Sequence, residues 1–248
     1  VNGEINVHEG SVYFNQDGLK VYNDKKNSAE ILELATDGNH FRKLVQYDTN
    51  YYALRTNSID RISLKTGYRN LGSIEVRSTP TDLEIDSLLY YGNEAGEIAT
   101  TDRHLKVSPE PVIDLDLDSS SIHIVSGNVY TVVGRKDFKI KSRIDLHTPI
   151  FEIILHDGDP LLLTKNGLYF IREQKLYQLI ANVEFNNRAA YINNSKLYLG
   201  STYGLFEIDE EVLRKTVIPN LEYLEIKKQN VKRYGSESSS NIEKLKYY

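Results

Sequence analysis

Cysteine, methionine and tryptophan are all missing from this chain of 248 residues. Without cysteine there can be no disulfide, no thiolate metal site and no cysteine nucleophile. A chain that begins at Val1 and holds no methionine is expected to be part of a longer or processed product, with any signal peptide, anchor or neighbouring domain outside it. Without tryptophan, the eighteen tyrosines and seven phenylalanines must supply the large aromatic packing. No apolar run approaches the ~18 residues of a membrane span, and the mean hydropathy is -0.44. No direct membrane insertion is therefore expected in this segment. Positive charge is not in excess either: thirty Lys and Arg stand against thirty-five Asp and Glu, a net charge of -5. Such a chain has no broad attraction for phosphate backbones, so nucleic acid is not an expected partner. Dinucleotide, P-loop and G-x-S-x-G fingerprints are also missing, which removes the usual support for nucleotide-binding and hydrolase readings.

What the chain does have is an internal repeat. Residues 11–23, 51–64, 87–102, 121–133, 160–171 and 195–209 each read as an apolar strand, a short turn carrying Gly, Asn or Ser, and a second strand. A weaker seventh copy spans 229–245, with Tyr234-Gly235 standing where Tyr91-Gly92 stands. The first strands start near Val12, Tyr51, Leu88, Ile122, Leu161, Leu197 and Val231, at intervals of 34 to 39 residues. Four short strands with tight turns need about that length. Flanking runs supply the other two strands of each unit, among them the run before Ser87, the run before His156, and residues 29–34 and 175–180. The segment 26–36 could be written as a helix, but its register favours an outer strand. A repeat of ~36 to 45 residues in four antiparallel strands is the signature of a β-propeller blade. The expected fold is all-β, a seven-bladed antiparallel β-propeller, with six blades plus a C-terminal extension as the alternative. Residues 1–220 would hold six blades, and 221–248 a degenerate seventh or a linker to a further domain.

Few residues offer chemistry. Gly18, Gly96, Gly127, Gly167 and Gly204 recur at hairpin tips, where the turn explains them. Asp114, Asp116 and Asp118 could converge on a calcium ion, but Ser119 and Val125 occupy the places of the EF-hand glycine and glutamate. Alternation instead puts these carboxylates on one face of a strand. The six histidines show no H-x-H or H-x-x-x-H pair. Asp157-Gly158-Asp159-Pro160 reads as a turn, and Asn193-Asn194-Ser195 is a sequon of no predictive weight. No catalytic residue, metal site or cofactor is expected.

Three hairpins resemble the two-component regulator propeller repeat: Asp17-Gly18-Leu19, Asn166-Gly167-Leu168 with Tyr169, and Thr202-Tyr203-Gly204-Leu205-Phe206 ending in Asp209. The resemblance implies an extracytoplasmic, periplasmic sensor domain of a bacterial regulator. Leu88 to Asp102 is also similar to a degenerate WD40 repeat, which would imply an intracellular protein-interaction scaffold.

Propellers serve both as recognition modules and as enzymes such as hydrolases and lyases, so the fold does not choose between them. No cluster of His, Asp, Glu or Arg can be assembled from this sequence as a propeller active site would require. A non-enzymatic sensor or scaffold is the expected function, with a protein, peptide or glycan as ligand. Strand alternation puts the tips between second and third strands at the same end as the loops joining one blade to the next. That end gathers Arg55, Asn57, Glu94, Lys165 and Tyr203 from tips, and His40, Asp82, His147 and Arg188 from inter-blade loops. These nine form the expected binding rim.

Overall fold

In the computed structural model, side chains are described for residues 41–63, 70–172, 175–192 and 196–209. A further set of strands is described by its backbone pairing alone. Among the described residues, twenty-four strands build six antiparallel four-stranded sheets, each ordered as in the chain. Side-chain packing is described for five of these sheets. Among the described residues there is no helix.

The chain divides into two compact units, residues 1–115 and 116–248. The first unit holds three sheets. One consists of β1 (Ile5–His8), β2 (Ser11–Asn15), β3 (Leu19–Asn23) and β4 (Ser28–Ile31). The next has β5 (Lys43–Tyr47), β6 (Asn50–Leu54), β7 (Ser58–Ser63) and β8 (Arg69–Glu75). The third has β9 (Pro80–Ile85), β10 (Leu89–Asn93), β11 (Glu97–Ala99) and β12 (His104–Lys106).

The division falls within β13 (Asp114–Leu117), whose sheet continues with β14 (Ser121–Ser126), β15 (Val129–Gly134) and β16 (Ile140–Asp145) of the second unit. That unit continues with β17 (Ile150–His156), β18 (Asp159–Thr164), β19 (Gly167–Arg172) and β20 (Lys175–Ala181). Its last sheet has β21 (Phe185–Asn193), β22 (Lys196–Ser201), β23 (Gly204–Asp209) and β24 (Val231–Tyr234).

The seven-blade expectation is thereby corrected. Val231–Tyr234, read from the sequence as the first strand of a seventh hairpin, pairs with β23 in the register Leu205↔Tyr234 to Ile208↔Val231. It is the fourth strand of the sixth sheet, reached only after residues 210–230. Every other fourth strand follows its third within a short connection, and that regularity misled the count. Within the segment 26–36, Ser28–Ile31 form the strand β4.

Burial follows strand order, for a reason visible in the residues. All six residues of β14 are buried, and so are all five of β10. Among the described residues the fourth strands are mostly open: β16 alternates Ile and Ser with Lys, Arg and Asp, and only part of β20 is covered. A second strand has sheet on both faces and both edges, so it tolerates runs such as Leu161-Leu162-Leu163, each at most 3% exposed. A fourth strand is an edge, and charges such as Lys106, Lys141, Arg143 and Lys175 discourage it from pairing with another chain.

One core of the first unit joins Leu54, Ile59, Leu83, Leu89, Tyr91 and Ala99. The second unit packs Leu161, Leu163, Leu168, Phe170, Ile180, Phe185, Leu199 and Phe206 with their neighbours. Phe185 and Phe206 meet edge to face with centroids 5.7 Å apart. Tyr51, Tyr90 and Tyr130 are among the largest fully buried side chains, filling the place that tryptophan leaves.

Candidate functional site

In each unit, backbone hydrogen bonds tie the tips between second and third strands to the loops that join successive sheets. In the second unit, Ile150 N–H donates to Gly127 O at 2.9 Å and Lys165 N–H to Pro149 O at 3.1 Å. Asn182 N–H donates to Asn166 O at 3.0 Å, and Thr202 N–H to Glu184 O at 3.2 Å. In the first unit, Glu94 N–H donates to Thr79 O at 2.9 Å and Val112 N–H to Asn93 O at 3.1 Å. Tips and connecting loops therefore share one end within each unit and are fixed to one another, not merely close.

The tips have a local cause. Thr164 Oγ1 donates to Gly167 O at 2.8 Å and accepts Asn166 N–H at 3.1 Å. Ser201 does the same one sheet later, to Gly204 O and from Tyr203 N–H, both at 3.0 Å. A hydroxyl residue, two tip residues and a glycine thus close the turn and leave only the two tip side chains pointing outward. Gly167 is required at φ +143°, because a Cβ there would collide with the carbonyl oxygen of Ile180.

The nine expected rim residues separate into distinct environments. Lys165 and Asn57 are exposed at tips, and Tyr203 is 50% exposed at another. His147 stands in the loop between β16 and β17, its ring open to solvent and 3.3 Å from Asp145. Its backbone is left-handed, and its N–H is held by Asp145 at 2.8 Å. Glu94 lies at the tip after β10, 3.5 Å from Arg42. Arg188 belongs to β21, at a left-handed residue inside an irregular stretch of pairing between Phe185 and Ala190.

Two of the nine are built inward. Arg55 is 9% exposed, its Nε 2.5 Å from Asp60 and its guanidinium over the Phe41 ring. Asp82 is wholly buried in β9, not in a loop, and pairs with Lys43 at 2.9 Å. His40 lies outside the described residues. Within the second unit, the structure places Lys165 beside the 146–149 loop that carries His147, and Tyr203 beside the 182–184 loop that leads to Arg188.

Sequence reasoning passed over the buried charges. Lys43 of β5 meets Asp82 and Glu84 of β9, at 2.9 and 2.8 Å. Burial alone would lower the Lys43 pKa, but Asp82, Glu84 and Asp114 outweigh it and hold the ammonium well above its ordinary range. The visible signal was the alternation Asp82-x-Glu84, which puts both carboxylates on one face of a strand.

In the second unit, the His123 ring bridges Tyr130 and Asp118, Nδ1 to the phenol oxygen at 2.6 Å and Nε2 to the carboxylate at 2.8 Å. Burial and the Asp118 charge push the Tyr130 phenol far up, so it stays protonated at neutral pH. Tyr130 also lines a cavity of about 280 Å³ with Arg143, Asp159, Pro160 and Ile171. Asp159 there is held by Arg172 Nε at 2.6 Å. Among the described residues no group of three or more His, Cys, Asp or Glu could hold a metal ion. No helix among them is long and apolar enough to cross a membrane.

The arrangement of antiparallel four-stranded sheets is that of a β-propeller, and solved structures agree. The chain is similar to Kluyveromyces lactis Hsv2 with a TM-score of 0.59 at 13% identity, over 84% of this chain and 81% of that one. It is similar to a chain of the mitotic checkpoint complex with a TM-score of 0.66 at 9% identity, over 80% of this chain and 71% of that one. Streptogramin B lyase gives a TM-score of 0.65 at 15% identity, over 85% and 80%. At such identities the likeness shows the fold alone. No protein-family model matches the sequence, and no curated protein matches it.

Proposed function

We propose that this propeller is a non-enzymatic recognition module, the ligand- or protein-binding sensor domain of a larger regulatory protein, which grips a protein partner through its tips and connecting loops. One observation carries the reading: exposed side chains such as Asn57, Lys165 and Tyr203 are mounted on turns fixed by repeated backbone and hydroxyl hydrogen bonds. A rigid mount with freely variable tip residues is what recognition needs, because little entropy is lost on binding. The mitotic checkpoint complex, a protein assembly, is among the structural neighbours and supports a protein partner.

Streptogramin B lyase keeps a lyase as the runner-up. Against it stands the chemistry of the His123 relay in the second unit. Tyr130 is buried, protonated and tied to His123, a poor starting point for a general base at neutral pH. An intracellular WD40-like scaffold is the second form of the recognition reading.

The test is to replace Asn57, Lys165 and Tyr203 together with Ala and to measure affinity for a partner recovered by pull-down, with thermal stability as control. The expected result is weakened binding at unchanged melting temperature. Unchanged affinity, with loss instead on substituting Lys136, Lys139 and Asp157 at the other end of the second unit, would refute the assignment to the tips and connecting loops.

A further inference from the structure

The two ends of the second unit differ in chemistry. At one end, the β15–β16 and β17–β18 turns and the start of β20 carry exposed charges: Lys136, Asp137, Lys139, Asp157 and Lys175. The end with the tips and connecting loops adds a set of neutral amides to its exposed Asp145, His147, Lys165 and Glu184. Asn166 sits on the tip after β18, Asn182 in the loop after β20, and Asn186 and Asn187 at the start of β21, all four exposed. Among the described residues their side-chain amides make no hydrogen bond.

The Asn166 tip is joined to the Asn182 loop, and Asn186 and Asn187 follow four and five residues later at the start of β21. The Asn182 N–H to Asn166 O bond joins the tip of one sheet to the next loop, and the Thr202 N–H to Glu184 O bond joins that loop to the following tip. The irregular stretch of β21 folds toward β22, where the bare Gly200 leaves room: a Cβ there would stand 2.9 Å from Ala189 Cβ and 3.7 Å from Asn186 Nδ2. Tyr203, half exposed, stands on the following tip.

We infer that this set of amides binds an extended peptide segment of the partner by reading its main chain. The inference rests on the recognition function proposed above and names its ligand chemistry. A carboxamide offers two donors and an acceptor, the complement of a peptide group's acceptor and donor. A row of such amides across two neighbouring sheets suits an extended chain. Charge of both signs is interspersed at this end, in Lys165, Glu184 and Arg188, and His147 is paired with Asp145. A sugar would want an aromatic floor within a pit. Here Tyr203 stands on an exposed tip, and the cavity of the second unit is lined by other residues, around Tyr130 and Asp159.

The experiment uses the full chain, immobilised and panned with a phage-displayed random dodecapeptide library, and measures enriched peptides by fluorescence polarisation. Replacing a bound amide by N-methyl is expected to weaken binding about tenfold, the worth of one or two hydrogen bonds. Asn166→Asp with Asn187→Asp, which keeps shape and removes donors, should do the same, and the loss should persist at high salt. Affinity of the parent should change less than about threefold between roughly 0.05 and 0.5 M salt. Asn182→Gly, which suits the left-handed backbone at that residue, provides a second variant if the first melts early.

No enriched peptide, peptides indifferent to N-methylation and to both variants, or binding of a neutral glucan oligosaccharide that both variants abolish would each overturn the inference. If the Asn57, Lys165 and Tyr203 replacement still releases a protein partner in those cases, the recognition function stands and only the main-chain reading falls. If it does not, both fall.

Discussion

The backbone N–H of Leu155 donates at 3.0 Å to the carboxylate of Asp116, a residue of the preceding sheet's first strand. The device recurs within each unit. Leu115 N–H donates to Asp82 at 2.8 Å, and Ala189 N–H to Glu152 at 2.9 Å. A first strand has no partner strand on one edge, and its N–H groups must find acceptors elsewhere. Carboxylates projecting from the neighbouring first strand supply them. The acidic row Asp114, Asp116 and Asp118 is thus accounted for by protein partners: Asp114 lies in the field of Lys43, Asp116 holds Leu155, and Asp118 holds His123.

The first prediction follows from that bond. Asp116→Ala leaves the part-buried Leu155 N–H without its acceptor and should cost about 1 to 3 kcal/mol in urea unfolding. Asp116→Asn keeps an acceptor oxygen and should recover most of the loss. Equal stability of the two variants would show that the bond does not hold the strands.

The second concerns acid. Burial would raise the Asp118 pKa, but hydrogen bonds from His123 and from Ser120 and Ser121 N–H outweigh it, and the carboxyl is held below its ordinary value. A group whose pKa is lower folded than unfolded adds stability above its unfolded value of ~3.9 and loses it as pH falls through the folded one. Unfolding free energy should therefore drop more steeply below about pH 4 in the parent than in Asp118→Asn. Parallel acid limbs would contradict the assignment. The ionised carboxylate accepts a hydrogen bond from His123 Nε2–H, and in the neutral ring Nδ1 then accepts from the Tyr130 hydroxyl. Tyr130→Phe should then lose about 1 to 2 kcal/mol through the orphaned Nδ1.

How much of this was legible beforehand depended on sequence distance. The hairpins were readable because Thr164-Lys165-Asn166-Gly167 holds strand end, tip and glycine within four residues, and alternation marked the edge strands. The fourth strand of the last sheet was not, since nothing local in Val231–Tyr234 says that it returns to Leu205–Ile208 across residues 210–230. Two rim residues were misjudged for the same reason. Asp82 reads as a polar loop residue until Lys43, 39 positions earlier, is placed beside it. Arg55 follows a strand end, but the ring beneath it, Phe41, comes from before β5. Side chains at the tips were placed by local turn chemistry, whereas charges buried between sheets depend on contacts that no window of sequence contains.

A third prediction separates turn geometry from space. Gly167→Ala meets both a left-handed φ and the Ile180 carbonyl, and should destabilise by more than about 3 kcal/mol. Gly158 also has a positive φ, +84°, but nothing stands within 4 Å of a Cβ built there. Gly158→Ala should cost only about 1 to 2 kcal/mol of backbone strain. Thermal melts of the two variants decide it, and a Gly158→Ala loss as large as that of Gly167→Ala would mean that strain alone governs both turns.

The last prediction tests the buried ion cluster of the first unit. Asp82 has no exposed surface, and Lys43, 13% exposed, is within 3 Å of both it and Glu84. Removing one member of a buried pair strands the other, so Lys43→Met should cost about 3 to 5 kcal/mol. Replacing both, Lys43→Met with Asp82→Leu, removes the stranded charge but also the acceptor of the Leu115 N–H. The double variant should therefore recover part of the loss and remain below the parent by about the worth of that one hydrogen bond, 1 to 3 kcal/mol. The sign with pH also follows. A lysine held above its unfolded pKa contributes fully below that value, ~10.4, and loses its contribution only as pH rises through the folded one. The gap between parent and Lys43→Met should accordingly stay constant from about pH 6 to 9 and narrow only in strong alkali. Urea titrations across that range would sink the assignment if the gap closed near neutrality, or if the double variant were no more stable than the single one.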